Sequence, residues 1–271
     1  MKKQLLFLTL TLLSFNVYSQ DKKTAEECFK KADYKCAEEQ YAKLADKEQI
    51  QKFQSEYYNN LGTAQRRLGK IPQAFKSYES ALKSNPLSAS VYANLGSIHN
   101  QKGSKTKALE YLNKGLQIDN QNAEMYLTRA KVYENLGKKD LAAQDFNQIL
   151  TFAPDNILAR TGLANLKKRN NDLEGALKDY NQLLSEKPES LLYNGRADVF
   201  LKLKKHKEAL LDVNKAISID PKFSQSYVTK ASILFDSGKE KEACTNLDKA
   251  VATGFEKAAL AELYAKCTVK N

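Results

Sequence analysis

A period of 34 residues governs most of this sequence and limits what the chain can fold into. Glycine recurs at Gly69, Gly103 and Gly137 in steps of 34 residues, and Gly238 follows three steps later, less one residue. The same phase is kept by six alanines and by four of the five prolines, at Ala74, Ala108, Ala142, Ala176, Ala209, Ala243, Pro86, Pro154, Pro188 and Pro221. A fixed period of this length indicates an array of structural repeats.

Each repeat is predicted to be a helical hairpin. Counting residue 55 as the first position, the six repeats are 55–88, 89–122, 123–156, 157–189, 190–223 and 224–257. Within a repeat, positions 4, 7, 8 and 11 have the spacing of one face of a first helix, and positions 20, 24, 27 and 28 have that of a second. Glycine at position 15 breaks the chain between the two helices, and proline ends the repeat where a helix cannot continue.

Small residues at two positions predict that the two helices pack closely. Position 20 is always alanine, and position 8 is always small, at Gly62, Gly96, Ala130, Ala164, Ala197 and Ala231. Position 4 is tyrosine in five of the six repeats, and Arg160 is the exception. A single hairpin cannot bury its own apolar face, so neighbouring hairpins must stack. The sequence therefore predicts a helical solenoid.

The order of residues within each repeat also carries a family resemblance. An aromatic residue, a Leu-Gly pair, a turn glycine, an alanine, a second aromatic, another alanine and a final proline follow one another, most clearly in NNLG at 59–62, ANLG at 93–96 and Ala-Leu at 81–82. In this order residues 55–257 resemble tetratricopeptide repeats. The resemblance implies an all-α fold, a right-handed α-solenoid of helix-turn-helix repeats. It does not identify a partner, because one fold serves many unrelated functions.

Residues 1–19 are predicted to be a cleaved signal peptide. Lys2 and Lys3 precede a mostly apolar stretch from Leu5 to Val17, and small residues allow cleavage before Gln20. Thirteen residues rise only about 20 Å as a helix, short of the roughly 30 Å of a bilayer core. We therefore expect a periplasmic or secreted protein with no transmembrane anchor after cleavage.

The two ends of the repeat array are expected to differ from its interior. Residues 20–54 are predicted to form a degenerate N-terminal helical hairpin, and residues 258–271 a C-terminal capping helix that solvates the open end of the stack.

Four cysteines lie in these two terminal regions. Cys28 and Cys36 flank one predicted turn, and Cys244 and Cys267 flank the break at Gly254. In an exported protein this arrangement predicts two disulfides, one in each terminal hairpin. A zinc site is the alternative, but the ligand spacing does not fit, and both histidines lie far away in sequence.

The net charge of +11 and the absence of catalytic motifs limit the class of function. An evenly lysine-rich surface explains the charge, and export argues against nucleic acid as the partner. The sequence has no glycine loop for phosphates, no H-E-x-x-H and no G-x-S-x-G. His99 falls at a packing position, and His206 lies in a basic turn. We expect no enzyme activity, no cofactor and no metal.

Departures from the repeat pattern suggest ion pairs between adjacent helices. Position 7, where leucine is usual, is basic in three repeats, and position 23 is aspartate in three repeats. These residues are Arg129, Arg196 and Lys230, and Asp145, Asp179 and Asp212. The hypothesis is that the arginines pair with the aspartates and stabilise the stack.

The surface of the first helices is the remaining candidate for a binding site. In the family that the repeats resemble, first helices line a concave face, and positions 2, 5, 6, 9, 12 and 13 point into it. Here the candidate partner-binding residues are Asn60, Thr63, Arg66, Arg67, Asn94, Ser97, Asn100, Gln101, Lys131, Glu134, Asn135, Asn165, Lys168 and Arg169. Amides with scattered cations suit the backbone and the carboxylates of an extended peptide.

Two functions remain open at this point. The first is a protein–protein interaction scaffold or adaptor in the cell envelope, which binds an unidentified protein or peptide on the concave face. The alternative is a module that binds an envelope polymer or carbohydrate through basic surface residues. High salt should weaken the second kind of binding much more than the first.

Overall fold

The computed structural model describes residues 21–267, and this part of the chain consists of helices and the turns between them, without a β-strand. The predicted all-α repeat fold is confirmed. The chain divides into two compact units, of which unit 1 ends at Lys138 and unit 2 begins at Lys139. The predicted signal peptide, residues 1–19, and the last residues of the predicted cap, 268–271, lie outside the described residues.

The helices follow the predicted period. Unit 1 contains α1 (residues 21–30), α2 (Tyr34–Lys47), α3 (Gln51–Arg67), α4 (Ile71–Ser84), α5 (Ala89–Gln101), α6 (Lys105–Ile118) and α7 (Ala123–Asn135). Unit 2 contains α8 (Lys139–Phe152), α9 (Ile157–Arg169), α10 (Leu173–Glu186), α11 (Ser190–Lys202), α12 (His206–Ile219), α13 (Ser224–Asp236), α14 (Glu240–Ala252), a 3₁₀ turn (Lys257–Leu260) and α15 (Ala261–Ala265). Consecutive helices such as α3 and α4, or α11 and α12, pack together as hairpins.

The turn inside each hairpin requires a left-handed backbone at position 15. Gly69 has a φ of 75° there and Gly238 a φ of 71°, which glycine adopts without steric cost. Two repeats place other residues in the same conformation, Asn171 with a φ of 65° and Lys204 with a φ of 59°. The helix pair on either side therefore sets the turn geometry, whichever residue occupies it.

Small residues at position 8 allow a large side chain from the second helix to pack directly on the first. In unit 1 a Cβ atom on Gly62 would lie 2.8 Å from the ring of Tyr78, and one on Gly96 would lie 2.6 Å from the side chain of Leu112. Leu112 is fully buried. Burying a side chain of this size contributes about 1.5 to 3 kcal/mol. The repeated Gly and Ala residues thus have a packing role.

Each terminal hairpin contains a disulfide, as the sequence predicts. The N-terminal disulfide joins Cys28 to Cys36 with an S–S distance of 2.00 Å. The C-terminal disulfide joins Cys244 of α14 to Cys267 with an S–S distance of 2.04 Å. Because the neighbouring helices of a stack cover an end from one side only, such crosslinks stabilise the region that is least supported by packing.

The described part of the C-terminal cap, up to Cys267, is not one continuous helix. It starts with the 3₁₀ turn and continues as the five-residue α15. Leu260 is 2% exposed and packs with Leu234 and Leu247, whereas α15 contains no buried residue. Leu263 and Tyr264 of α15 are partly buried and pack against the same cluster, and the hydroxyl of Tyr264 donates to Asp248 at 2.9 Å.

One of the predicted Arg–Asp pairs is confirmed. Arg196 of α11 donates from Nε and Nη2 to the two carboxylate oxygens of Asp212 on α12, at 2.7 and 2.8 Å. Two other position-7 cations donate to amide oxygens of neighbouring helices, Arg129 to Asn113 and Lys230 to Asn214.

Asp179 also pairs, but with a different residue. Its carboxylate lies 2.7 Å from Nζ of Lys167, because position 7 of its own repeat is Leu163, and position 11 supplies the cation one turn later.

None of the helices in residues 21–267 has both the length and the apolar character needed to cross a membrane.

Candidate functional site

A groove between the first helices of repeats 2 and 3 collects several of the predicted residues. It has a volume of about 480 Å³ and lies between the C-terminal half of α5, the start of α6 and α7. Its lining is Ser97, Asn100, Gln101, Lys105, Glu124, Leu127, Thr128, Lys131 and Asn135. We call it the unit-1 groove. Ser97, Asn100, Gln101, Lys131 and Asn135 were selected from the sequence alone.

The helical repeat explains why these side chains meet. Positions 9, 12 and 13 of repeat 2 lie on α5, and positions 2, 5, 6, 9 and 13 of repeat 3 lie on α7, and all of them face the same groove. Glu124, Leu127 and Thr128 were missed by the sequence selection, although their positions follow the same rule. Lys105 was missed because it lies on a second helix.

Hydrogen bonds fix the groove at its polar edge. Nζ of Lys105 donates to the side-chain oxygen of Asn100 at 2.7 Å and to its carbonyl oxygen at 3.2 Å. Nη1 of Arg66 donates to the hydroxyl of Ser97 at 3.2 Å, which links the groove to repeat 1. Gln101, Lys131 and Asn135 extend into solvent. The groove therefore combines a fixed polar edge with exposed groups that a partner can reach.

Three other candidates of repeats 1 and 2, Asn60, Thr63 and Asn94, contact neighbouring helices. The amide of Asn94 donates to Oδ1 of Asn59 at 2.9 Å. Thr63 donates to the carbonyl of Asn59 at 2.9 Å and lies 3.2 Å from the hydroxyl of Tyr78. The side chain of Asn60 on α3 makes a hydrogen bond with Tyr41 on α2. Burial raises the pKa of Tyr41, and this hydrogen bond acts in the opposite direction.

Two other candidates of unit 1 do not line the groove. Arg67 is exposed at the end of α3, and Glu134 is half-buried on α7.

The three candidates of unit 2 lie on α9. Asn165 accepts a hydrogen bond from the hydroxyl of Tyr180 at 2.9 Å. Lys168 is only 9% exposed, and its Nζ lies 2.8 Å from Oδ2 of Asp198. Burial, together with the carboxylate of Asp198, raises the pKa of Tyr180, so its hydroxyl stays protonated and donates. Arg169 is exposed at the C-terminal end of the helix.

The histidines have the surroundings that the sequence indicates. The His99 ring stacks on that of Tyr111 with 5.3 Å between the ring centres, and the centre of the Phe75 ring lies 5.1 Å away. Burial lowers the pKa of His99, and nearby lysines act in the same direction. Nε2 of His206 lies 2.6 Å from the carboxylate of Asp236. In residues 21–267 no three His, Cys, Asp or Glu side chains are grouped so that they could hold a metal ion.

Comparison with known proteins points to one family. Family models described as tetratricopeptide repeat match residues 59–123, 123–156 and 161–222. The crystal structure of a tetratricopeptide repeat protein from Parabacteroides merdae is similar with a TM-score of 0.81 and 29% identity, over 92% of this chain and 98% of that one. No match was found among curated proteins.

Two more distant structures share the fold alone. The Cut9–Hcn1 hetero-tetramer of the APC/C matches with a TM-score of 0.67 and 15% identity, over 84% of this chain and 45% of that one. The pilF protein of Pseudomonas aeruginosa matches with a TM-score of 0.57 and 18% identity, over 78% and 92%.

Proposed function

The chain belongs to the tetratricopeptide-repeat family, and we propose that it is a scaffold or adaptor of the cell envelope that binds an extended segment of another protein in the unit-1 groove. The observation that carries the proposal is the convergence of five sequence-selected polar residues on this one groove. The proposal gives the protein a binding role without catalysis.

The chemistry of the groove suits a peptide backbone. Asn100, Gln101 and Asn135 carry amides, which both donate and accept hydrogen bonds, as the peptide groups of an extended segment require. Leu127 offers apolar contact, and Glu124 and Lys131 offer charges of opposite sign. A mixed lining of this kind matches the alternating side chains of a protein segment.

The groove is less suited to the alternative ligand, an anionic envelope polymer. Such a polymer needs a run of available cations, whereas here Lys105 is bound to Asn100, and Glu124 adds a negative charge. Salt distinguishes the two ligands, since screening weakens the binding of a polyanion far more than that of a peptide held by amides and apolar contact.

Two observations support export. The composition of residues 1–19 is that of a signal peptide, and two disulfides join the four cysteines. Disulfides persist in oxidising compartments and are rare in the cytosol. Cell fractionation, with sequencing of the mature amino terminus, tests this part: a cytosolic chain that retains residues 1–19 would contradict it.

Site-specific photocrosslinking in the native cell tests the groove. A photoreactive amino acid at Gln101 or at Asn135 should capture the same protein, and one at the exposed Lys76 of α4 serves as the matched control. The double variant N100A/K131A should reduce the capture. Charges are screened within about 4 Å at about 0.5 M salt, and capture should persist at that salt concentration. Identical crosslinks from the groove and from the control position would refute the proposed site.

A further inference from the structure

A second concave feature lies in unit 2. It is lined by a different face of α9 from the one that carries Asn165 and Lys168. It has a volume of about 490 Å³ and lies between α8, α9 and α10. Its lining is Ala143, Asn147, Arg160, Leu163, Leu166, Lys167, Asn170, Asp179, Gln182 and Leu183. We call it the unit-2 cleft. The α9 residues in it include positions 4, 7 and 11 of repeat 4, the positions that face the second helix of the same repeat.

The neighbouring repeats fill these positions with aromatic rings around a cation. In repeat 5 the guanidinium of Arg196, at position 7, lies 5.7 Å from the ring of Tyr193 and 5.8 Å from the ring of Phe200, which occupy positions 4 and 11. The first helix of repeat 3, α7 of unit 1, has the same arrangement: the guanidinium of Arg129 lies 5.3 Å from the ring of Tyr126 and 5.9 Å from that of Tyr133.

Repeat 4 reverses this arrangement. Position 7 is the apolar Leu163, and positions 4 and 11 are the cations Arg160 and Lys167. Both rings are therefore missing from a place where repeats 3 and 5 have them. Leu166 and Leu183 form the buried floor of the cleft beside Leu163.

Ion pairs to α10 hold the two cations at opposite ends of the cleft. Arg160 donates to both carboxylate oxygens of Glu186, from Nη2 at 2.8 Å, and this pairing lowers the pKa of Glu186. Nζ of Lys167 lies 2.7 Å from Asp179. Each cation is thus balanced by an acid. An anionic ligand would meet two carboxylates as well as two cations, which disfavours a phosphate or carboxylate as the occupant.

The spacing of the cations fits one aromatic ring. Residues seven apart on a helix lie about 10 Å apart along its axis. A cation attracts the face of a ring within about 6 Å of the ring centre. A ring placed midway above Leu163 can therefore meet Arg160 on one face and Lys167 on the other. Its edge would contact the apolar floor, and the amides of Asn147 and Gln182 lie at the rim for a polar substituent.

We propose that the unit-2 cleft docks an exposed tyrosine or phenylalanine side chain of a partner protein. In this placement the partner's ring lies above position 7, between two cations, which is the reverse of repeats 3 and 5, where a cation at position 7 lies between two rings. This surface is separate from the unit-1 groove, so either site can be shown or refuted without the other.

Nuclear magnetic resonance with small amides tests the proposal on the mature full-length chain. The probes are N-acetyl-tyrosinamide and N-acetyl-phenylalaninamide, with N-acetyl-leucinamide as the aliphatic comparison and N-acetyl-aspartate as the anionic one. We expect the aromatic amides to bind in the millimolar range, as suits fragments of this size, and to shift the methyl signals of Leu163 and Leu183. Binding of the leucine or aspartate compound as tight as that of the aromatic amides would overturn the proposal.

Two variants locate the binding. Arg160→Tyr replaces one of the two flanking cations by a ring of the chain itself, as at position 4 of the other repeats, and should abolish binding of the aromatic amides. Arg169→Tyr adds the same ring to α9 outside the cleft and should leave binding unchanged. The double variant R160Q/K167Q keeps the cleft open without its cations. It should weaken binding of the aromatic amides roughly 5- to 30-fold, as expected for two cation–π contacts, without affecting the leucine compound. Unchanged binding of the aromatic amides in R160Q/K167Q would refute the role of the cations.

Discussion

Replacing Arg196 by methionine should destabilise the protein strongly, because it leaves a buried carboxylate without its partner. The side chain of Asp212 is 9% exposed, and that of Arg196 is 22% exposed. The guanidinium donates two hydrogen bonds to Asp212 and a third, at 2.8 Å, to Asn181. Methionine fills much of the same volume between the flanking rings but provides no donor. The variant therefore isolates the loss of charge pairing from the loss of packing.

The size of the effect follows from the burial of the pair. Breaking a buried ion pair by removing one partner costs about 3 to 5 kcal/mol. The lower end, about 3 kcal/mol, applies here because Arg196 remains partly exposed. For a chain of this size, that corresponds to a fall in melting temperature of about 6 to 12 °C. The double variant R196M/D212L removes both charges and should lie within about 1 kcal/mol of the wild type.

Urea unfolding followed by circular dichroism measures these differences, and hydrogen exchange in α11 and α12 localises them. The control is Lys114→Met, which breaks an exposed ion pair with Glu110 on α6 and should cause no measurable change. If R196M is as stable as the control, or if the double variant is no more stable than R196M, the reasoning from desolvation is wrong.

Three further predictions concern single sites. A Cβ on Gly195 would lie 2.4 Å from the Tyr180 hydroxyl, so Gly195→Ala should lower the free energy of unfolding in urea by about 1 to 3 kcal/mol. Gly115→Ala meets mainly the flexible end of Met125 and should be nearly neutral. Equal losses of stability in the two variants would contradict this. Replacing both cysteines of the C-terminal disulfide by serine should lower the free energy of unfolding by about 3.5 kcal/mol. The same change in the N-terminal disulfide, which closes a shorter loop, should lower it by about 2.5 kcal/mol. The reverse order would refute the loop-entropy argument. Since the pKa of His99 is lowered below its ordinary 6.5 in the folded protein, the unfolded chain binds the proton first, so stability should be complete above pH 6.5 and should fall as the pH drops below it. His99→Phe should remove that fall, and an unchanged pH profile would show that other groups cause it.

The sequence is sufficient to predict the hairpins because their determinants are local. The spacing of apolar residues, the small residues at positions 8 and 20, and the turn residues all lie within one repeat. The left-handed conformation at Asn171 and Lys204 could not be predicted in this way. Neither position carries the glycine signal, and the packing of the flanking helices imposes the turn.

The candidate site was predicted only in part because it depends on contacts between repeats. Position numbers alone brought Ser97, Asn100 and Lys131 to one groove. The burial of Lys168 by Asp198 depends on a residue of the next repeat, which a rule applied repeat by repeat does not consider.

The unit-2 cleft had a signal in the sequence, although its meaning required the structure. Arg160 is the exception to the tyrosine at position 4. That Arg160 lines a cleft together with Lys167 depends on the direction in which both side chains extend, towards Glu186 and Asp179. Those contacts lie more than a turn away in sequence and become visible only when α9 and α10 are placed side by side.

Within each unit, the packing of helices on their neighbours along the chain also has a consequence for the order of folding. Contacts of short sequence separation form quickly, and the folding of a repeat array can start at any hairpin. The N-terminal disulfide spans only eight residues, and Phe29 of α1 lies 6.0 Å from Tyr41 of α2. If the chain crosses a membrane from its amino terminus, this hairpin can fold and become crosslinked as soon as α2 has emerged, and the later helices of unit 1 then have a folded surface on which to pack.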